Sequence, residues 1–197
     1  MIVIDNTMLT LLLHPKARAP QDPNTGQPID RLEDRLEVLV QEWEEDNETV
    51  LIPTPVLSEF LILADKDGPA YLTDIDANPH FVVVGFDQKA AVELAVMNLA
   101  VRKGPSKNKR GDAGGTWAKI VFDRQIVAIA KTNGATVIYS DDGGLEKFAK
   151  QHLISVVKTW ELPLPPAKQI KLPEFEQHTQ KPKGRKIVFE GEDDEEA

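Results

Sequence analysis

A chain of 197 residues, 41% of them hydrophobic, is long enough for one α/β domain with its own core plus extensions. It has no cysteine, which removes disulfides, thiolate zinc sites and cysteine nucleophiles together and suits a reducing, cytoplasmic setting. The formal charge of −9 disfavours nucleic acid only as a sum: the last eight residues, EGEDDEEA, carry no base, and without their six acids 23 basic residues face 26 acidic ones.

Short β-branched apolar runs alternate with helical periodicity, a pattern that predicts βαβ units around a parallel sheet. The opening segment, MIVIDNTMLTLLLHP, lacks a basic leader and is interrupted by Asp5 and Asn6, so it reads as a buried strand at 2–4 rather than a signal peptide. A helical turn follows through Met8 to Leu13, then a loop at 14–28 rich in Pro, Asn and Gly that is long for a compact domain. Leu32, Leu36, Leu39, Val40 and Trp43 lie on one face of the next helix, to pack on the sheet or to serve a dimer contact. A second strand is expected at 49–53, with Pro55 in the first turn of a helix running to about Asp65.

FVVVGF at 81–86 reads as a third strand, and Asp87 caps a helix through Val101. A glycine-containing basic loop occupies 102–115. Thr116 then caps a helix from Trp117 to Thr132 that ends at Asn133-Gly134. Strands are expected at 136–140 and 153–157, with a helix between them from about Gly144 to His152. These elements define a domain over residues 1–160. Residues 161–197 read as an extended tail, rich in proline, then basic, then acidic. No stretch approaches the length of a membrane span.

The placement of acids carries the chemical signal. Asp5 directly follows the first strand, Glu59 lies a helical turn beyond the second, Asp123 sits in the second turn of its helix, and Asp141 and Asp142 follow the fourth strand. In an open parallel sheet, sites form outside the carboxyl ends of the strands, near the point where strand order reverses. All these acids map to that edge. Singly, Asp5, Asp141 or Asp142 could be helix caps, Glu59 a solvated residue, and Asp123 the partner of Lys119 one turn earlier. Together they raise a physical problem, because two carboxylates about 4 Å apart repel by roughly 4 kcal/mol at an effective dielectric near 20. One or two hard divalent cations, Mg²⁺ or Mn²⁺, would relieve it. The four histidines are scattered without ligand spacing.

The segments IVIDNTMLTLLL, LIPTPVLSEFL, FDRQIVAIAKTNGATVIYSDD and LEKFAKQHLISVV, in this order, resemble the PIN-domain family of metal-dependent nucleases, which includes the toxins of toxin–antitoxin pairs. The resemblance implies a three-layer α/β/α fold with a central parallel sheet of four to five strands. It places the family's acids on Asp5, Glu59, Asp123 and Asp142, with Asp5, Asp123, Asp142 and the auxiliary Asp141 as metal ligands. It also implies an RNA substrate, a protein antitoxin or inhibitor as a potential partner, and a homodimer as a potential assembly.

Asn6, Thr7 and Ser140 are candidates to hold a water or phosphate oxygen, and Lys119 and Arg124 flank Asp123 as candidate phosphate contacts, with ordinary ion pairs as the alternative. Arg102, Lys103, Lys107, Lys109 and Arg110 form the strongest basic patch, either a phosphate contact or a solvated loop. A haloacid dehalogenase-type phosphatase needs Asp-x-Asp where this chain has Asp5-Asn6-Thr7. A receiver domain needs an early acidic pair that is missing. The rival from another class is a PIN-like fold kept as a catalytically weak nucleic-acid-binding or assembly module.

Overall fold

β1 (Ile2–Ile4) and β2 (Val50–Pro53) are buried at every residue, as central parallel strands covered on both faces must be. The computed structural model describes the backbone of residues 1–103 and 116–165, with side chains at 1–100 and 116–165. β3 (Phe81–Val84), β4 (Val137–Tyr139) and β5 (Ser155–Val157) complete a five-stranded sheet of order β3-β2-β1-β4-β5. Every pairing is parallel. The expected α/β class and strand number are both observed.

The chain steps outward from β1 to β3, then returns to lay β4 on the other side of β1. The order therefore reverses between β1 and β4. Right-handed crossovers put the helices of the two legs on opposite faces of the sheet. α1 (Asn6–Leu13), α2 (Leu32–Glu45), α3 (Thr54–Ala64) and α4 (Gly68–Ala77) belong to the first leg. α5 (Gln88–Lys103), α6 (Trp117–Thr132) and α7 (Gly143–Gln151) belong to the second, with α6 packed between α5 and α7.

The register at the reversal positions the site. Ile4 pairs with Tyr139, and the Asp5 amide donates to the Tyr139 carbonyl at 3.1 Å. Asp5 and Ser140 therefore leave the sheet side by side. Leu39 and Trp43 of α2 are buried in the domain's own core, with Trp43 edge-on to Tyr139 at 5.2 Å. Packing on the sheet, rather than a dimer contact, accounts for those two residues.

Two segments depart from the sequence reading. The 14–28 loop closes on itself through an antiparallel bridge between Gln21 and Pro28. Gly26, at φ 67°, makes the turn, and buried Ile29 donates to the Pro20 carbonyl at 2.9 Å. α4 was not anticipated, because among its residues only Gly68 and Ile75 are buried and no apolar stripe announces it. Met1–Pro165 form one compact unit. The basic-then-acidic tail from 166 onward, including the short apolar run 186–190, lies outside the described residues. Among the described residues no helix is long and apolar enough to cross a membrane.

Candidate functional site

Asp5 and Asp142 are both helix N-caps, one after each strand that flanks the reversal. Asp5 accepts from the Met8 amide at 2.9 Å and starts α1. Asp142 starts α7, its Oδ1 accepting from the amides of Gly144 at 2.6 Å and Leu145 at 2.8 Å. Capping is thus real at both positions, and it uses only part of each carboxylate. α3 brings Glu59 and α6 brings Asp123 to the same place. Together with Asn6, Thr7, Lys119 and the apolar side chains of Ile62 and Phe122, they line one cavity of about 580 Å³.

The electrostatics divide the acids. Asp5 is buried, 7% exposed. Its burial, with the nearby charges of Asp141 and Asp142, pushes its carboxyl up to about 6, against hydrogen bonds from Ser140 and Met8. Asp123 is also raised to about 6, by burial first and then by the charges of Asp142, Asp5 and Glu59, with Lys119 opposing. Burial works upward on Asp142 as well. There the Lys119 ion pair and the amides of Leu145 and Gly144 outweigh it and hold the carboxyl below its ordinary value.

Several expected residues take more specific positions. The Lys119 ammonium pairs with Asp142 Oδ2, across the cavity, rather than with Asp123 on its own helix. Ser140 is buried, with its hydroxyl on the Asp5 carboxylate and accepting from the Asp142 amide at 3.1 Å. It orients the acids and stands outside the cavity lining. Asp141 stands outside the cavity lining, its two oxygens accepting from the amide and hydroxyl of Thr159 at 2.8 and 2.6 Å. Arg124 also turns away: its guanidinium donates to Asn98 at 2.6 Å and lies over the Phe148 ring at 5.0 Å. A buried arginine holding α5, α6 and α7 together is not placed to meet a phosphate in this cavity. Lys107, Lys109 and Arg110 lie outside the described residues, as do the side chains of Arg102 and Lys103.

The sequence matches the PIN domain family over residues 29–151. The chain belongs to the PIN domain family. The match holds Glu59, Asp123 and Asp142; Asp5 precedes it, and the β1–β4 register brings it to the same cavity. Among solved structures, the chain is similar to a DNA-bound VapBC from Salmonella typhimurium, at 14% identity and a TM-score of 0.49, covering 80% of this chain and 97% of that one. It is also similar to VapBC2 from Rickettsia felis bound to a promoter DNA fragment, at 16% identity and a TM-score of 0.47, covering 80% and 98%. VapC20 of Mycobacterium tuberculosis, a sarcin-ricin loop cleaving toxin, is similar at 13% identity and a TM-score of 0.43, covering 75% and 94%. No curated protein sequence matches the chain.

Two residues of this PIN domain escaped the sequence reading. Lys158, 5% exposed, donates to the Asp142 carbonyl at 3.2 Å and pairs with Glu146 at 3.0 Å, fixing the start of α7 from behind. A lysine directly after the last strand, at the edge where the acids gather, was the available signal. Gly144 is the other: a Cβ there would stand 3.0 Å from Asp142 Oδ1 and 3.7 Å from Asp123 Oδ2. Its missing side chain gives the Asp142 carboxylate its room, while the Asp123 distance is ordinary van der Waals contact.

The donor set suits a hard cation. Every polar acceptor on the cavity wall is oxygen, and Asn6 Oδ1 is buried without a hydrogen-bond partner among the described residues. Asp5, Asp123, Asp142 and Glu59 could hold such an ion. As they stand, no three acids or histidines among the described residues are gathered tightly enough to enclose one. That is compatible with Mg²⁺, which keeps several waters and takes one or two carboxylates directly.

Two outcomes test this geometry. Because Asp5 and Asp123 bind protons more tightly folded than unfolded, their contribution to stability falls as pH rises from about 4 to 6 and stays low above that. With EDTA present, Asp123→Asn is therefore expected to exceed the wild type in urea stability at pH 7.5, by a margin that shrinks toward pH 4.5. A margin independent of pH would contradict the assignment. Gly144→Val is expected to lose about 1–2 kcal/mol, the scale of a broken N-cap. Gly143→Ala, whose Cβ meets nothing within 4 Å, should be neutral or stabilising; equal losses at the two glycines would refute the crowding at Asp142.

Proposed function

We propose that this PIN domain is a Mg²⁺- or Mn²⁺-dependent endoribonuclease that hydrolyses phosphodiester bonds of RNA. The observation that carries the reading is the convergence of Asp5, Glu59, Asp123 and Asp142 on one cavity at the β1–β4 reversal. Two of those carboxyls are raised to about 6 by burial and by each other. Gathering unlike partners would have been easier, so a site of this kind argues for a cationic occupant.

Asp5, Asp123 and Asp142 are the proposed ligands, directly or through water, with Glu59 as a further ligand or as the group that orients the attacking water. A cation held there would supply positive charge to polarise the phosphoryl oxygen and to lower the pKa of water so that hydroxide is available near neutral pH. Asn6 and Thr7 border the acids and offer neutral polar groups to a water or a phosphate oxygen. Ser140 and Lys158 hold Asp5 and the Asp142 backbone in place. Ile62 and Phe122 give the cavity an apolar wall against which a base can rest. RNA in preference to DNA and a toxin role with a protein antitoxin rest on family resemblance, and a cytoplasmic setting on the absence of cysteine.

The test is cleavage of single-stranded and structured RNA with Mn²⁺ or with EDTA, beside Asp123→Asn. Expected is metal-dependent cleavage that falls by at least about a hundredfold in the variant, since this carboxylate is a proposed ligand of the metal. Cleavage in EDTA, or cleavage surviving Asp123→Asn, would refute the mechanism. Failure to cleave across a broad RNA panel would instead favour a catalytically weak binding or assembly module.

A further inference from the structure

Asp142 has one oxygen to offer a cation. Its Oδ1 is already taken by the amides of Gly144 and Leu145, and its Oδ2 carries the Lys119 ammonium. Lys119 comes from the first turn of α6, whose start is set by the Thr116 cap, and reaches across to Asp142, the N-cap of α7. Its charge sits within the field of Asp142, Asp123 and Glu59 together. A lysine in this place does part of what a divalent ion would do.

We propose that Lys119 is a tethered counter-cation that competes with the divalent metal for Asp142, and so sets the metal concentration at which the site fills. The proposal rests on the metal-site reading above and deepens it. Among the described residues two lysines contact Asp142, and their settings show why displacement falls to this one. Lys158 has a side chain only 6% exposed and is bound to Glu146 and to the Asp142 carbonyl, so its removal would open the fold. Lys119 has a side chain 52% exposed, and among the described residues its one ion pair is with the Asp142 carboxylate. It can swing into water with little loss, as exposed ion pairs generally can. Any ligand that binds only the form with Oδ2 free binds more weakly by the fraction of time the ammonium is there.

The test is calorimetric titration of the full chain with MnCl₂ alone, without nucleic acid. Lys119→Met is expected to bind Mn²⁺ about fivefold more tightly than the wild type, the factor an exposed ion pair can supply. Lys119→Arg keeps the charge and should stay close to the wild type. Lys119→Gln provides a second neutral variant should the methionine variant misfold, which circular dichroism would reveal. Equal or weaker Mn²⁺ binding in the neutral variants, with the wild type binding normally, would overturn the competition and leave the metal site standing. Binding in the neutral variants alone would establish competition strong enough to mask the site. If neither wild type nor neutral variants bind Mn²⁺, the metal-site reading fails and this proposal fails with it.

Discussion

The mutual repulsion of carboxylates gathered at the β1–β4 reversal is the constraint around which the rest of this chain is arranged. The parallel register of β1 against β4 leaves Asp5 and Ser140 level at the carboxyl edge, and the cap of α7 stands two residues later at Asp142. Nothing in the sheet requires acids there; hydrophobic or neutral caps would give the same strands. The surroundings are instead fitted to carry the charge. The Met8 amide and Ser140 hydroxyl face Asp5, two α7 amides face Asp142, and Gly144 leaves room beside the Asp142 carboxylate.

These devices differ in permanence. Backbone amides and the buried Lys158 cannot leave without unwinding a helix end or exposing a buried charge. Lys119 can leave. The site therefore combines a fixed frame, which sets where the oxygens are, with one movable positive charge, which modulates how strongly those oxygens repel. Burial of Asp5 and partial burial of Asp123 amplify every charge brought near them, because screening by water is reduced. A cation entering this cavity meets stronger attraction than it would at an exposed acidic patch of the same composition.

Much of this was legible before the fold was known. The acids could be read because each follows an apolar strand or lies at a set distance into a helix, and strand ends are where side chains of an open sheet become available. Asp87, Thr116 and Gly134 announced helix ends through cap chemistry, and each does that work in the structure. What escaped depends on side-chain direction, which spacing does not supply. Arg124 and Asp123 are neighbours on one helix, yet successive residues point about 100° apart, so one meets α7 and the other the cavity. Asp141 and Asp142 are likewise adjacent, and only the Thr159 contact separates a structural acid from a cavity acid. Helical spacing pairs Lys119 with Asp123, whereas the ion-pair partner in three dimensions is Asp142. α4 carried too few buried residues to register as periodic.

The central claim is that the acids converge to hold a divalent cation. Anomalous diffraction from crystals of the protein soaked in MnCl₂ tests it most directly. The account predicts a manganese peak in the cavity between Asp5, Asp123 and Asp142, with Lys119 moved off Asp142 Oδ2. An unoccupied cavity at saturating Mn²⁺, with Lys119 still paired to Asp142, would contradict it.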